Sequence, residues 1–261
     1  MPSTVTDDEG REVAVPASVR RVVSIVPSLT EALEASAPGI VVGATDWCTH
    51  PADLAAERVR GTKNPDVERI VALAPDLVVA NQEENRPPDL DALRAAGLAV
   101  YVTDIRDIDG GLDSLGRLLA ACGLGEPDWL GEARALWAAL RPAAPRRRAV
   151  VPIWRRPWMA VGSDTFTGAV LERLGVDNVL DGSPERYPRF DPADLPAHDL
   201  VVLPDEPYLF TADDGPEAFG APSALVSGRL LTWYGPSLVE AARELPSALL
   251  PHGDDADTPA R

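Results

Sequence analysis

The chain has 261 residues and a formal net charge of −17, from 24 Lys and Arg against 41 Asp and Glu. Hydrophobic residues make up 45% and charged residues 25%, which are the proportions of a globular protein and not of a disordered one. Because binding to a phosphate backbone needs clustered Lys and Arg, this acidity excludes nucleic acid as a partner. Two cysteines, Cys48 and Cys122, make no disulfide framework.

The first nine residues contain no basic start, no apolar segment and no lipoprotein cysteine. If Met1 is the native start, we expect a cytoplasmic protein; the alternative is an artificial start that replaces an export signal. No window approaches the roughly 18 apolar residues that a membrane helix needs, so we predict no membrane span.

In the N-terminal half, β-rich runs alternate with amphipathic segments. Strands are predicted at 21–26, 41–43, 77–80 and 99–102. Helices are predicted after a capping box at 28–31, over 66–73 with Asp66 as the cap, and over 89–96 with Gly97 just beyond its end. This alternation is typical of a parallel sheet covered by helices.

Farther on, helical spacing covers 112–122 and about 127–141, and the strand–helix–strand pattern returns at 149–153, 167–174 and 200–203. The sequence therefore predicts an α/β protein of two lobes with mostly parallel central sheets, joined by one backbone helix. The predicted boundaries are an N-terminal lobe at 1–104, a helical segment at 105–145 that includes the backbone helix, a C-terminal lobe at 146–251 and a disordered tail at 252–261.

Three polar segments of the N-terminal lobe are candidate binding loops, because ligands bind at the carboxyl ends of strands in α/β sheets. Segment 45–51 combines Asp, Cys and His with a Trp, which suits ligand binding. The alternative interpretation is structural: the Cys packs as a small hydrophobic residue and the His caps a turn. In segment 61–66 a turn and a helix cap explain all but Lys63, which suits an anionic ligand. Segment 81–86 suits a ligand rim or an ordinary solvated loop.

Aromatic residues mark the C-terminal half at 154–159, 205–208 and 233–235. A cleft between the lobes, lined by several of these rings, would hold a large flat ligand; the alternative is that two or three rings belong to the core. Basic residues at predicted strand ends (Lys63, Arg86, Arg155 and Arg156) predict a locally basic cleft. The predicted ligand-binding residues are Trp47, Cys48, His50, Lys63, Glu83, Glu84, Asn85, Arg86, Trp154, Arg155, Trp158, Glu206, Tyr208, Trp233 and Tyr234.

Several segments, in this order, resemble one protein family. The motifs lie at 5–13, 21–31, 48–51, 63–65, 66–78, 83–86 and 233–236. They are similar to the substrate-binding proteins of cobalamin, haem and ferric-siderophore ABC importers, the helical-backbone metal receptors, and most of all to the cobalamin binders. The resemblance implies a class III periplasmic-binding-protein-like fold, with the ligand held between two lobes that close little.

The family docks on its membrane permease through one surface glutamate in each lobe. Glu68 stands at the first of these positions, but the second falls on Ala193, beside Asp194. Together with the N-terminus, this departure argues against delivery of a ligand to a permease.

Two functions follow. The first is a cytosolic receptor for a cobalamin-like or other metal-chelate ligand, which is stacked on Trp47, Trp154 and Trp233, paired to Arg86 and Arg155, and coordinated axially by His50 or Cys48. The second is a biosynthetic enzyme that reuses the cleft, with Cys48 and His50 as nucleophile and base, and Glu83, Glu84 and Glu206 as acid–base groups. No resident cofactor or protein-held metal is predicted with certainty.

Overall fold

Two parallel β-sheets organise the chain, one in each of two units. The structure, a computed structural model, describes residues 3–249. Within them, unit 1 comprises residues 3–138 together with Trp233–Val239, and unit 2 comprises Ala139–Thr232 together with residues 240–249. The chain leaves unit 1 inside a helix and later returns to it for one short segment.

Unit 1 contains a five-stranded parallel sheet with strand order β5-β4-β3-β8-β9 and two antiparallel hairpins, β1–β2 and β6–β7. The central strands are fully buried apolar runs, as expected for a sheet with helices on its faces. The strands are β1 (Ser3–Thr6), β2 (Glu12–Val15), β3 (Val22–Ser24), β4 (Val41–Ala44), β5 (Glu57–Arg58), β6 (Arg60–Gly61), β7 (Asn64–Pro65), β8 (Leu77–Asn81) and β9 (Val100–Thr103).

Five helices begin in residues 3–138 of unit 1: α1 (Pro27–Ser36), α2 (Val67–Ala72), α3 (Pro87–Ala95), α4 (Ile108–Ala121) and α5 (Asp128–Ala139). The Asp66 carboxylate accepts a hydrogen bond from the backbone N–H of Arg69, which confirms the predicted cap of α2. Gly97 follows α3 with a φ of +84°, also as predicted.

The capping box predicted at 28–31 is wrong. Helix α1 begins at Pro27, with Val26 as its N-cap and no side-chain cap. Proline suits the first helical position because it needs no hydrogen bond there, so the helix starts earlier and Ser28 lies inside its first turn.

Unit 2 contains a four-stranded parallel sheet with strand order β13-β10-β14-β15 and an antiparallel hairpin, β11–β12. Its strands are β10 (Arg147–Val150), β11 (Pro152–Arg155), β12 (Trp158–Ala160), β13 (Val176–Asn178), β14 (Leu200–Pro204) and β15 (Ser223–Val226). Its helices are α6 (Phe166–Leu174), α7 (Gly228–Thr232) and α8 (Ser237–Ala248), the last of which begins in unit 1. Single 3₁₀ turns occur at Pro192–Asp194 and Pro216–Ala218.

The single strand predicted at 149–153 is two strands. β10 lies between two neighbours in the sheet, where every residue must supply an N–H, and Pro152 has none. The chain therefore leaves the sheet after Val150 and forms the β11–β12 hairpin, which carries Trp154 and Arg155.

These two parallel sheets with their covering helices confirm the predicted α/β class. Within residues 3–249, no helix is long and apolar enough to cross a membrane. The tail predicted at 252–261 lies outside the described residues.

Candidate ligand-binding site

The loop after β4 presents Trp47 to solvent. Its side chain is 67% exposed, the largest exposed aromatic surface of the described chain. A Cβ at Gly61 would lie 3.3 Å from the indole Nε1 of Trp47 and only 2.6 Å from Asn64 Oδ1. The missing side chain of Gly61 thus lets the indole approach the β6–β7 hairpin.

The side chain of Cys48, the next residue, is fully buried, in contrast to that of Trp47. Its Sγ lies 3.0 Å from Thr30 Oγ1 and 3.2 Å from Thr45 Oγ1. Burial raises the pKa of the Cys48 thiol, and the two hydroxyls and Arg58 only partly offset this. A protonated, enclosed thiol is a weak nucleophile and a weak metal ligand, so the geometry favours the alternative of a small packed residue.

Arg58 fixes the backbone of this loop through two hydrogen bonds. Its Nη1 donates to the carbonyl oxygens of Thr45 at 2.8 Å and of Cys48 at 2.9 Å. The two carbonyls flank Trp47 in the chain, so one guanidinium fixes the backbone on both sides of the exposed ring. Sequence reasoning missed Arg58, because an arginine in a two-residue strand matches no motif.

His50 contacts Trp233. The ring centroids are 5.5 Å apart and the planes meet at 86°, an edge-to-face arrangement. His50 Nδ1 lies 3.1 Å from Thr49 Oγ1, which leaves Nε2 as the nitrogen for a metal. Trp233 is 7% exposed, so it supports the imidazole more than it offers a face of its own.

The segment that carries Trp233 packs on α1. Gly235 has a φ of +148°, and a Cβ there would lie 3.3 Å from the carbonyl oxygen of Ser28. Glycine is therefore required for the close approach that brings Trp233 and Tyr234 into unit 1. No local pattern in the sequence indicates this return.

Asn85, predicted to bind ligand, instead connects three backbone segments. Its Oδ1 accepts from the N–H of Asn81 at 2.9 Å, and its Nδ2 donates to the carbonyls of Ile25 at 3.2 Å and Thr62 at 2.9 Å. Buried polar groups are satisfied in this way when they fix structure. The geometry makes Asn85 a support of the loop and not part of its surface.

Lys63, Glu83, Glu84 and Tyr234 form an acid–base cluster. Lys63 donates to the backbone carbonyl of Glu83. Burial raises the pKa of the partly buried Glu84, and the charge of Lys63 offsets part of that. Burial also raises the pKa of Tyr234 well above its ordinary value, and the nearby Glu84 and Glu83 raise it further. Of these four predicted residues, Lys63 and Glu83 are in direct hydrogen-bond contact.

Arg86 is exposed and paired within its own helix turn. Its Nε and Nη2 donate to the two carboxylate oxygens of Asp89 at 2.8 and 3.1 Å. The bidentate pair raises the pKa of Arg86 and occupies the donors predicted for a ligand.

In unit 2, Trp154 and Tyr208 form a second aromatic pair, edge to face with centroids 5.6 Å apart. Trp154 is 42% exposed. Trp158, by contrast, stacks on Phe210 at 6.0 Å and meets Phe219 edge to face at 5.3 Å, within a hydrophobic cluster. The alternative that some predicted rings belong to the core therefore describes Trp158.

Arg155 is enclosed by carboxylates. Its guanidinium pairs with both Asp214 and Glu217 and lies 5.3 Å from the Trp158 ring centroid. Asp214 also accepts from the Tyr208 hydroxyl at 2.6 Å. The guanidinium that was predicted to pair with a ligand is thus occupied by two carboxylates.

The geometry gives the enzyme hypothesis no nucleophile–base pair. The thiol of Cys48 has Thr30 and Thr45 as partners and the imidazole of His50 has Thr49; in the described residues no hydrogen bond joins the thiol to the imidazole. Glu206 lies in unit 2, packed on Gly228. No group of three or more His, Cys, Asp or Glu side chains in residues 3–249 is placed to hold a metal ion.

Comparison with known proteins shows what the chain is similar to. No protein-family model matches the chain. A vitamin B12-binding protein of Vibrio vulnificus is 25% identical over 181 residues, which span 66% of this chain and 66% of that relative. The chain is therefore similar to vitamin B12-binding substrate-binding proteins over about two thirds of its length. The chain thus covers just under two thirds of this curated relative.

Solved structures of substrate-binding proteins share the fold. The periplasmic vitamin B12-binding protein BtuF of Vibrio cholerae matches with a TM-score of 0.73 and 19% identity, over 90% of this chain and 98% of that one. The haem-binding protein HmuT matches with a TM-score of 0.77 and 21% identity, over 95% and 90%. Glu68 and Ala193 are both exposed, and the expectation that the chain does not deliver a ligand to a permease stays a prediction.

Proposed function

We propose that this protein binds a flat metal chelate of the cobalamin or haem kind through the unit 1 aromatic surface, which we define as Trp47 and His50 backed by Trp233. The observation that carries the proposal is the edge-to-face contact of His50 with Trp233, in a loop that also carries the 67% exposed indole of Trp47. The names of the relatives support the ligand class.

The chemistry of the surface suits such a ligand. When a flat ring covers an exposed indole, a large apolar surface is removed from water, and this burial favours binding. An imidazole whose ring is fixed by Trp233 and whose Nδ1 is engaged by Thr49 can offer Nε2 to a metal centre without first losing much freedom. Trp47 thus supplies the stacking face and His50 the axial donor.

Titration with aquocobalamin and with haemin, followed by absorption spectra, tests the proposal. We expect a Kd tighter than about 100 μM for at least one of the two. Trp47→Ala should weaken binding roughly tenfold, the loss of about 1.4 kcal/mol. Val71→Ala, a truncation of another exposed apolar residue of unit 1, should leave Kd unchanged.

His50→Ala separates stacking from coordination. We expect this variant to retain stacking on Trp47 but to lose the spectral shift of an axial nitrogen ligand. A wild-type protein with no spectral change and no binding below about 100 μM would overturn the proposal.

A further inference from the structure

The main chain directly before His50 is held by hydrogen bonds. The carbonyl of Cys48 accepts from Arg58 at 2.9 Å, and the carbonyl of Trp47 accepts from the N–H of Thr49 at 3.0 Å. Because its backbone is bound in this turn, the Thr49 hydroxyl lies at a defined place beside the imidazole, with 3.1 Å between Oγ1 and Nδ1.

This contact allows two arrangements of hydrogen atoms. A neutral imidazole carries one N–H and one nitrogen lone pair. If the Thr49 hydroxyl donates to Nδ1, the ring hydrogen of His50 is on Nε2 and no lone pair points outward. If Nδ1–H donates to the hydroxyl oxygen, the outward lone pair is on Nε2. Only the second arrangement lets Nε2 coordinate a metal.

The Nε2 atom of His50 is open to a ligand. In the part of the chain that the structure describes, Thr49 is the only hydrogen-bond partner of this imidazole. Nε2 of His50 is also not among the enclosed side-chain atoms without a partner, which include Nε2 of His198. Within residues 3–249, the nitrogen that faces away from Thr49 is thus neither enclosed nor engaged by a hydrogen bond.

We infer that Thr49 is a positioning residue for axial coordination: its hydroxyl accepts Nδ1–H and holds His50 in the tautomer that offers Nε2 to a metal. The inference rests on the proposed function and extends it to a residue that acts through the imidazole. When a metal takes the Nε2 lone pair, the remaining ring hydrogen is on Nδ1, and an acceptor for it strengthens the nitrogen donor. Stacking on Trp47 gains nothing from this hydrogen bond.

The probes are zinc protoporphyrin IX and metal-free protoporphyrin IX. The two share one ring and one set of side groups, and only the zinc form accepts an axial nitrogen ligand. Titration followed at the Soret band gives both dissociation constants. We expect the wild-type protein to bind the zinc form at least about fivefold tighter, and His50→Ala to abolish this preference.

Variants of Thr49 separate the hydroxyl from the shape of the side chain. Thr49→Val should reduce the preference for zinc at least about threefold and leave the affinity for the metal-free ring unchanged. Thr49→Ser, which retains a hydroxyl, should keep the preference. Thr4→Val makes the same substitution at an exposed strand residue of unit 1 and should change neither constant. Unfolding curves verify that each variant is folded.

Nitrogen NMR of the zinc complex identifies the tautomer directly. The chain has three histidines, so the signals that His50→Ala removes belong to His50. In the wild-type complex we expect Nδ1 to carry the hydrogen and Nε2 to have the shift of a coordinated nitrogen.

Equal losses of affinity for both porphyrins in Thr49→Val would show that the hydroxyl supports the loop and not the axial bond, which would overturn the inference. An unchanged preference for zinc in this variant, or coordination through Nδ1, would overturn it as well. Equal binding of both porphyrins by the wild type would also overturn it and leave stacking on Trp47 in place. If the wild type binds neither porphyrin, haemin nor aquocobalamin, the proposed function itself fails, and the inference with it.

Discussion

The imidazole of His50 meets the indole of Trp233 edge to face, with 5.5 Å between ring centroids, although the two residues reach unit 1 from distant parts of the chain. The contact restricts the orientation of the imidazole, whose Nε2 is the proposed metal ligand. Trp233→Phe keeps an aromatic face, whereas Trp233→Leu removes it.

We therefore expect Trp233→Leu to weaken chelate binding about tenfold and to diminish the axial spectral signature, while Trp233→Phe retains most of both. Absorption titration measures the two effects together. Trp129→Phe serves as the control. It changes another tryptophan of unit 1, whose indole N–H donates a hydrogen bond to Ser36. Equal affinities for the Leu and Phe variants would contradict a positioning role for Trp233.

A second prediction concerns Arg58, whose Nη1 donates to the carbonyls of Thr45 and Cys48. Arg58→Ala frees both carbonyls and should loosen the loop that presents Trp47. We expect chelate affinity to fall at least fivefold and amide exchange at 45–50 to accelerate, because the loop must be ordered again on binding.

Arg69→Ala is the matched control for Arg58. Arg69 donates to the carbonyl of Arg58 and pairs with the exposed Glu57. Its substitution therefore also removes an arginine and its two partners, but not the hydrogen bonds to the carbonyls of Thr45 and Cys48. Its variant should leave the exchange of 45–50 unchanged. Identical exchange in the two variants would show that Arg58 does not control the loop.

Local rules account for the elements that sequence analysis located. Asp66 and Gly97 act through hydrogen bonds and backbone angles within a few residues, and the buried strands appear as apolar runs. The same rules failed at Pro152, where only the central place of β10 in its sheet decides that the strand must end.

The candidate site depends on contacts that no local rule contains. Arg155 was predicted to bind an anion, but Asp214 and Glu217, which neutralise it, come from a distant loop. Asn85 was predicted as a ligand contact, but the carbonyls that occupy its amide belong to Ile25 and Thr62. Residue type predicted a polar loop correctly; the partner of each side chain could not be derived from spacing.

A third prediction concerns Asn85. Asn85→Ala leaves the N–H of Asn81 and the carbonyls of Ile25 and Thr62 without their partners. Since each unsatisfied buried group costs about 1–3 kcal/mol, we expect the free energy of unfolding to fall by about 3 kcal/mol. Denaturant unfolding measures it.

The control for Asn85 is Gln82→Ala, a truncation in the same loop of an exposed side chain that pairs with Arg106. It should change the free energy of unfolding by no more than about 0.5 kcal/mol. If Asn85→Ala were as mild as this control, Asn85 would not be the support that its hydrogen bonds indicate.

The last prediction concerns stability at alkaline pH. Burial raises the pKa of Cys122 from 9.0 to about 12. Burial, followed by the charge of Asp8, raises the pKa of Tyr101 from 10.0 to about 12. Below about pH 9 both groups are protonated in the folded and the unfolded state, so their contribution to the free energy of unfolding is fully present there.

As the pH rises from 9 toward 12, the unfolded chain releases these protons and the folded chain retains them. Stability must therefore fall, by up to about 1.4 kcal/mol per pH unit for each group above its unfolded pKa. Urea unfolding at intervals from pH 8 to 11 measures the slope. Cys122→Ala and Tyr101→Phe should each make the slope shallower, from pH 9 and pH 10 upward respectively, although Cys122→Ala lowers stability at pH 8. If neither substitution changes the slope, the loss of stability at alkaline pH does not come from these two buried groups. It would then come from electrostatic repulsion among the many negative charges of the chain.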